Sequence, residues 1–237
     1  MWQCFKRLDY ILLIPFDTFR KKIFRQKEGS DVITLAHEIN EENVTVLEQG
    51  NDIAFFSCEN YEVKDILIPI VSNALEKGYS IKDIQVLAPM YGGVAGIDAL
   101  NNTLQKVLNP QDGYKDEIKV GYRVFRVGDK ILQLKNQPDE NVYNGDIGEI
   151  IAIEYADENA LSKNVILADF DGNFVEYSGE QISNITHAYC ISIHKAQGSE
   201  YPIVIMPVVK DYAFMLSKRL LYTGVTRAKK RSGIAWV

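Results

Sequence analysis

Residues 187–201 read HAYCISIHKAQGSEY. A short apolar run, Ala188 to Ile193, leads straight into an imidazole, an ammonium, an amide, a hydroxyl and a carboxylate grouped around one glycine. A plain turn needs glycine and at most one Asn or Asp, so this density of polar groups points to a site. In an open α/β sheet, ligands gather beyond the carboxyl ends of the strands, and His194 to Glu200 follows such an end. Gly198 would let the backbone come close to a phosphate or a base. Ser199 and Glu200 could hydrogen-bond a ribose or orient a cation, and His194 and Lys195 could meet nucleic-acid backbone or bases. The competing reading is an ordinary polar loop.

Three further stretches carry weaker signals. LLYTGVTRAKK, Leu220 to Lys230, sets Arg227 among small residues; a planar, always-charged guanidinium suits a phosphate clamp. IFRQ places Arg25 and Gln26 beside apolar positions. Taken alone, either arginine reads as a solvated surface residue. PMYGGVAG, Pro89 to Gly96, puts glycines before a helix, the pattern of an anion site at a helix N-terminus. It lacks the GxxxxGK[S/T] ending of a P-loop, and no such ending occurs anywhere in the chain.

The elements that must position these residues alternate between helix and strand. Trp2, Phe5, Leu8 and Ile11/Leu12 have a helical period, which predicts a helix from Met1 to about Leu13 that Pro15 ends. A second helix is expected over Asp31 to Asn40, a strand over Ile53 to Ser57, and a helix from Lys64 to Lys77 closed by Gly78. Ile84 to Ala88 reads as a buried parallel strand, followed by a helix over Ile97 to Leu108. From about Val120 to Ser178 the pattern becomes strands and tight turns, with hairpin signals at Asn144-Gly145 and Asp171-Gly172. This predicts a small antiparallel barrel inserted into an α/β domain. Strands return at Ala188–Ile193 and Ile203–Pro207, then a helix over Leu216 to Leu221 and a last strand, Gly233 to Val237.

Composition narrows the function classes. The 237 residues are 46% hydrophobic, enough for one large or two modest cored domains. No apolar run approaches the ~20 residues of a membrane span, and the first residues lack a small-residue cleavage site. Cys4, Cys58 and Cys190 form no CxxC pair, and His187 and His194 stand seven apart. Neither a disulfide framework nor a metal site is expected, and a reducing cytoplasm is. Net charge is −6, yet RKKIFRQK (20–27) holds five basic groups, and Lys218, Arg219, Arg227, Lys229, Lys230 and Arg231 come without an acid among them. Such stretches are solvated surface or anion sites.

Taken in order, these stretches resemble the C-terminal part of superfamily 1 DNA helicases of the RecD-like family (exodeoxyribonuclease V alpha chain). FRQ is similar to that family's motif IV, ISIHKAQGSEY to motif V, usually TIHKSQGSE, and LLYTGVTRAKK to motif VI. APMYGGVAGIDALNNTLQKVLNP and FRVGDKILQLKNQPDENVYNGDIGEI also match characteristic stretches. The resemblance runs from about Ile14 to Val237.

It implies a RecA-like second motor domain with a parallel sheet, over 16–119 and 183–237. It also implies an inserted Src-homology-3-like barrel over 120–182, with 1–15 a remnant of the first motor domain or an N-terminal helix. Arg25 and Arg227 would reach the γ-phosphate of ATP, with Gln26, Gly198 and Glu200 on the nucleotide side. Ser192, His194, Lys195 and Tyr91 would face single-stranded DNA. Ser192 stands where threonine is usual and keeps the hydroxyl. Ala196 replaces a serine and loses one, and Gly92 stands where a basic residue is common. ATP and Mg2+ would serve the complete 5′–3′ enzyme, whose first domain carries the P-loop; none is expected to bind this chain alone. An exposed interdomain face would favour self-association. The competing expectations are a stand-alone module that binds single-stranded DNA or protein, and a truncated remnant without function.

Overall fold

The computed structural model describes residues 9–14, 30–42, 52–157 and 162–228. In chain order the elements are β1 (Asp9–Ile14), α1 (Asp31–Glu41), β2 (Ala54–Cys58), α2 (Val63–Glu76), β3 (Ile84–Ala88) and α3 (Ile97–Leu108). The strands β4 (Glu117–Val120), β5 (Arg123–Arg126), β6 (Lys130–Gln133), β7 (Ile147–Glu154), β8 (Val165–Phe170), β9 (Asn173–Ser178) and β10 (Ile185–His187) come next. The chain then forms β11 (Cys190–Ser192), β12 (Ile203–Val208) and α4 (Lys218–Val225). No helix among the described residues is long and apolar enough to cross a membrane.

Two compact units result. One takes the residues up to Leu100 and those from Cys190 onward; the other runs Asn101–Tyr189. The first is built on a five-stranded sheet in the order β11-β3-β12-β1-β2. β11, β3 and β12 run parallel, and β1 pairs antiparallel with β12 and with β2. Every residue of β3, β11 and β12 is buried, the reason these strands are mostly apolar, with Gln85 and Ser192 the polar members, rather than alternating. α2 buries Val63, Leu67, Ile70, Val71 and Ala74, one stripe at helical spacing. It ends in a Schellman turn: Gly78, at φ 90°, donates to the Leu75 carbonyl and Tyr79 to that of Ala74.

Two expectations need correction here. The stretch Asp9–Ile14 is a strand rather than the end of a helix. Its YILLI run is uniformly apolar, so its period does not separate a helix from a central strand, and the place between β12 and β2 gives its backbone ladder partners on both sides. α4 begins later than expected and continues through Thr223-Gly224. Ser217 caps it by accepting the Leu220 N–H at 3.3 Å. Gly224 does not stop the helix, because it serves close packing: a Cβ there would lie 2.8 Å from Met206 Sδ on β12. The strand expected over 233–237 and the helix expected over residues 1–8 lie outside the described residues.

The second unit is antiparallel, with a five-stranded sheet in the order β10-β6-β7-β8-β9 and a two-stranded ribbon of β4 and β5. Phe125 of the ribbon joins Ile131, Ile150, Ile166, Val175, Tyr177 and Ile185 in one core. Asp171 and Gly172, at φ 53° and 93°, make the expected hairpin turn between β8 and β9. Among the described residues no ladder joins β9 to β10, so the sheet is not seen to close into a barrel.

Asp129, fully buried, organises this unit. Its Oδ2 accepts from Gln105 Nε2 (2.6 Å), the Arg126 amide (2.8 Å) and His187 Nε2 (3.2 Å). Its Oδ1 accepts from Asn109 Nδ2 and Tyr189 Oη, both at 2.8 Å. His187 Nε2 also faces the Val124 carbonyl at 3.1 Å; with two acceptors before it, this nitrogen carries the proton.

Candidate functional site

The register of the first sheet decides where the polar heptad lies. Ser192 at the end of β11 is level with Ala88 at the end of β3, whereas Ile203 at the start of β12 is level with Ile84 at the start of β3. Residues 193–202 therefore cross from the carboxyl end of the sheet to its amino end. The expectation that the whole of His194 to Glu200 gathers at a strand end holds for its first half only. Ser192, His194 and Lys195 stand at the carboxyl end, beside the loop that carries Tyr91 after β3. Ser199 and Glu200 approach the other end, where Arg227 is found.

The first half is a hydrogen-bonded turn. Ser192 accepts the Lys195 N–H on both its carbonyl (2.9 Å) and its Oγ (3.3 Å), and its carbonyl also takes the Ala196 N–H at 3.2 Å. The Ser192 hydroxyl thus caps the turn and keeps its own proton to donate. Ala196 is fully buried, so its methyl fills core where a serine would need a partner. His194 is exposed and Lys195 half-buried. Gly198 has φ 91°, and a Cβ built there would meet nothing within 4 Å. A left-handed backbone, rather than close approach of a neighbour, is what calls for glycine here.

The second half is held by Arg227, at the end of α4. Its Nε donates to the Thr223 carbonyl (3.1 Å), one terminal nitrogen to the Ser199 carbonyl (3.2 Å) and the other to Thr226 Oγ1 (3.3 Å). The Tyr201 amide donates to the Arg227 carbonyl at 2.9 Å, and Tyr201 bridges Ala228 in parallel. The heptad and the TRA turn are thereby one assembly, as their separate signals in the sequence do not reveal. Burial pushes the Tyr201 phenol up, while a hydrogen bond with Ser199 and the Arg227 charge pull it back. Three of the five guanidinium N–H groups are used by neutral acceptors, and no carboxylate pairs with Arg227 among the described residues. Glu200, next to Ser199 in the chain, is exposed and forms no ion pair with Arg227. A half-buried guanidinium with neutral partners keeps its charge and two N–H groups available to an anion.

The glycine loop behaves differently from its sequence pattern. Gly96 is obligatory, since a Cβ would lie 2.2 Å from the Gly92 carbonyl oxygen. The N–H groups of Ile97 and Asp98, which open α3, are taken by the carbonyls of Met90 (2.9 Å) and Tyr91 (3.2 Å). The loop thus satisfies the helix end itself, and the anion site suggested by its glycines is not built. Tyr91 projects from it, half exposed.

Arg25 and Gln26 lie outside the described residues, as do Lys229, Lys230 and Arg231. Three positions that matter to the site escaped the sequence reading: Tyr201, Gly224 and Tyr212. The last is fully buried and donates to the Ala95 carbonyl at 2.5 Å. Only Gly224 left a signal, a glycine inside a helical pattern.

Comparison with known proteins follows the same division. Residues 100–167 match the family of the ATP-dependent RecD-like DNA helicase SH3 domain, and residues 187–235 that of the UvrD-like helicase C-terminal domain. The ATP-dependent RecD2 DNA helicase of Deinococcus radiodurans is 35% identical over 158 residues, 65% of this chain and 21% of its own. The RecBCD enzyme subunit RecD of Buchnera aphidicola subsp. Schizaphis graminum is 25% identical over 234 residues, 90% of this chain and 38% of its own. The chain thus spans between a fifth and two fifths of the length of these relatives. In fold it is similar to the Pif1 helicase from Bacteroides in complex with ADP-AlF3 and ssDNA, with a TM-score of 0.50 and 18% identity over 90% of this chain and 50% of that one.

Proposed function

We propose the following function for a chain that is similar, over most of its length, to the C-terminal region of RecD-like superfamily 1 DNA helicases. It is the C-terminal motor half of an ATP-dependent 5′–3′ DNA helicase, working in a reducing cytoplasm. It supplies the motif IV, V and VI residues to a nucleotide site completed from outside these 237 residues.

The observation that carries this reading is the Arg227 assembly. A guanidinium held by Ser199, Thr223 and Thr226 without a carboxylate partner is preorganised for a phosphate. Arg227, joined by Arg25, neutralises charge that develops on the transferred phosphoryl group, and Gln26, Gly198 and Glu200 border the nucleotide. ATP supplies the phosphoryl group and, with Mg2+ held by the P-loop half, the energy of each cycle. At the other end of the sheet, Ser192, His194, Lys195 and Tyr91 meet single-stranded DNA. One continuous segment, 192–200, then joins the strand to the phosphate, so that closure on nucleotide shifts the grip on DNA.

Lacking a P-loop lysine, the chain alone hydrolyses no ATP. The barrel, 120–182 in this reading, lies between the two stretches of the motor domain, 16–119 and 183–237. The face prepared for the first domain favours self-association, which light scattering over a concentration series would reveal as a rising mass.

The test is reconstitution. Adding the P-loop domain of a RecD2 relative should produce DNA-dependent ATP hydrolysis, and Arg227→Ala should lower its kcat by about 10³-fold or more. Reconstituted hydrolysis indifferent to Arg227 would sink the assignment.

A further inference from the structure

Four strands of the first sheet, β11, β3, β12 and β2, point the same way, because β12 and β2 both pair antiparallel with β1. Three of the loops at their carboxyl ends carry an exposed aromatic ring. Tyr91 follows β3 and is 52% exposed, Phe214 follows β12 and is fully exposed, and Tyr61 follows β2 and is 70% exposed. The sheet order places them in the sequence Tyr91, Phe214, Tyr61, with the exposed His194 beyond Tyr91 after the edge strand β11. Neighbouring strands stand about 4.8 Å apart. The roots of Tyr91 and Phe214 are therefore one strand step apart, and those of Phe214 and Tyr61 two.

The loops are locked to one another. Buried Tyr212 of the β12 loop donates to the Ala95 carbonyl of the β3 loop. Asn60 of the β2 loop donates to Asp211 of the β12 loop, and Lys210 faces Glu59 at 3.9 Å. The rings thus stand on a cross-linked rim, although none of them belongs to the core. Asp211, Glu59 and Glu62 make this rim acidic, and Lys210 is engaged with Glu59, so it is poorly suited to gripping phosphates. Separate rings with charged groups between them also differ from the continuous apolar centre of a protein–protein interface. Ring faces ask for planar apolar partners, and stacking of bases on such faces tolerates any sequence.

We propose that Tyr91, Phe214 and Tyr61 form a stacking track for the unpaired bases of a nucleic-acid single strand whose backbone is held at the Ser192–Lys195 turn. The track extends the strand's path along the sheet edge from β11 toward β2, and it assigns a role to Phe214 and Tyr61 that no motif covers. The proposal rests on the reading of that turn as strand-facing.

The experiment measures fluorescence anisotropy of the full chain with a labelled 16-residue oligothymidylate and with an abasic strand of equal length. Phe214→Ala, Tyr61→Ala, Ser192→Ala and Lys195→Ala variants are compared. The rings are exposed, so the Phe214 and Tyr61 variants should keep the wild-type thermal midpoint. Expected are tighter binding of the wild type to thymidylate than to the abasic strand, and at least about fivefold weaker thymidylate binding in each ring variant. Affinity of the ring variants for the abasic strand should stay as in the wild type. Equal affinity for both strands, or ring variants that bind thymidylate as the wild type does, would overturn the track. In that case, loss of binding in the Ser192 and Lys195 variants would leave the strand-facing turn standing. Absence of binding to either strand would overturn both.

Discussion

Arg227 and Asp129 show how differently two charged residues are treated by one chain. Asp129 is saturated: five donors converge on its two oxygens, and it is fully buried. Arg227 meets only neutral acceptors and stays half-buried. The first pattern is that of a structural carboxylate; the second leaves a charge uncompensated by any carboxylate among the described residues. Asp129→Asn replaces an acceptor oxygen by an NH2 that faces donors. It should cost on the order of 3 kcal/mol in urea unfolding; a loss below about 1 kcal/mol would mean that water fills in for the carboxylate. None of this was legible in VGDK, because Asp129 finds Gln105 24 residues away and Tyr189 60 away. The arginine was legible only through resemblance, since small neighbours in TGVTRA do not distinguish a clamp from a surface residue.

At the scale of elements, α4 carries Arg227 to Ser199, and its position depends on Gly224 against Met206. Gly224→Val would drive a branched side chain into a fully buried methionine. It should cost about 1–3 kcal/mol and weaken any Arg227-dependent activity, with thermal melts and reconstituted hydrolysis as the two readouts. The start of α4 is tied to the end of α1: Lys218 Nζ lies 3.0 Å from Glu42 and donates to the Asn40 carbonyl at 3.2 Å. Lys218 holds the Glu42 carboxyl below its usual range. A lowered carboxylate contributes stability above its unfolded pKa, about 4.3, and that contribution is lost as pH falls through the folded value. Glu42→Gln should therefore lower the thermal midpoint slightly at pH 7 and match the wild type at strongly acid pH, which flattens the acid side of the stability profile; equal midpoints at pH 7 would show the pair to be idle. Buried parallel strands such as Ile84–Ala88 were plain in the sequence, being short apolar runs beside a glycine loop and a helix. β1 was not, because a run of five apolar residues satisfies either period, and only its ladder partners decide between them.

For the whole molecule, the proposed function divides its labour along one sheet. The segment 192–200 begins at the carboxyl end beside Tyr91 and ends close to Arg227, so the groups proposed to face the strand and those proposed to face the phosphate lie at opposite ends of the sheet. The sequence contains no GxxxxGK[S/T] loop to cradle phosphates. Hydrolysis by the purified chain, with and without single-stranded DNA and beside an Arg227→Ala control, is therefore the most direct measurement. The account predicts no turnover above background in any of these conditions. DNA-stimulated hydrolysis that disappears in Arg227→Ala would mean that this chain builds a complete nucleotide site without a P-loop, and would contradict its reading as half of a motor.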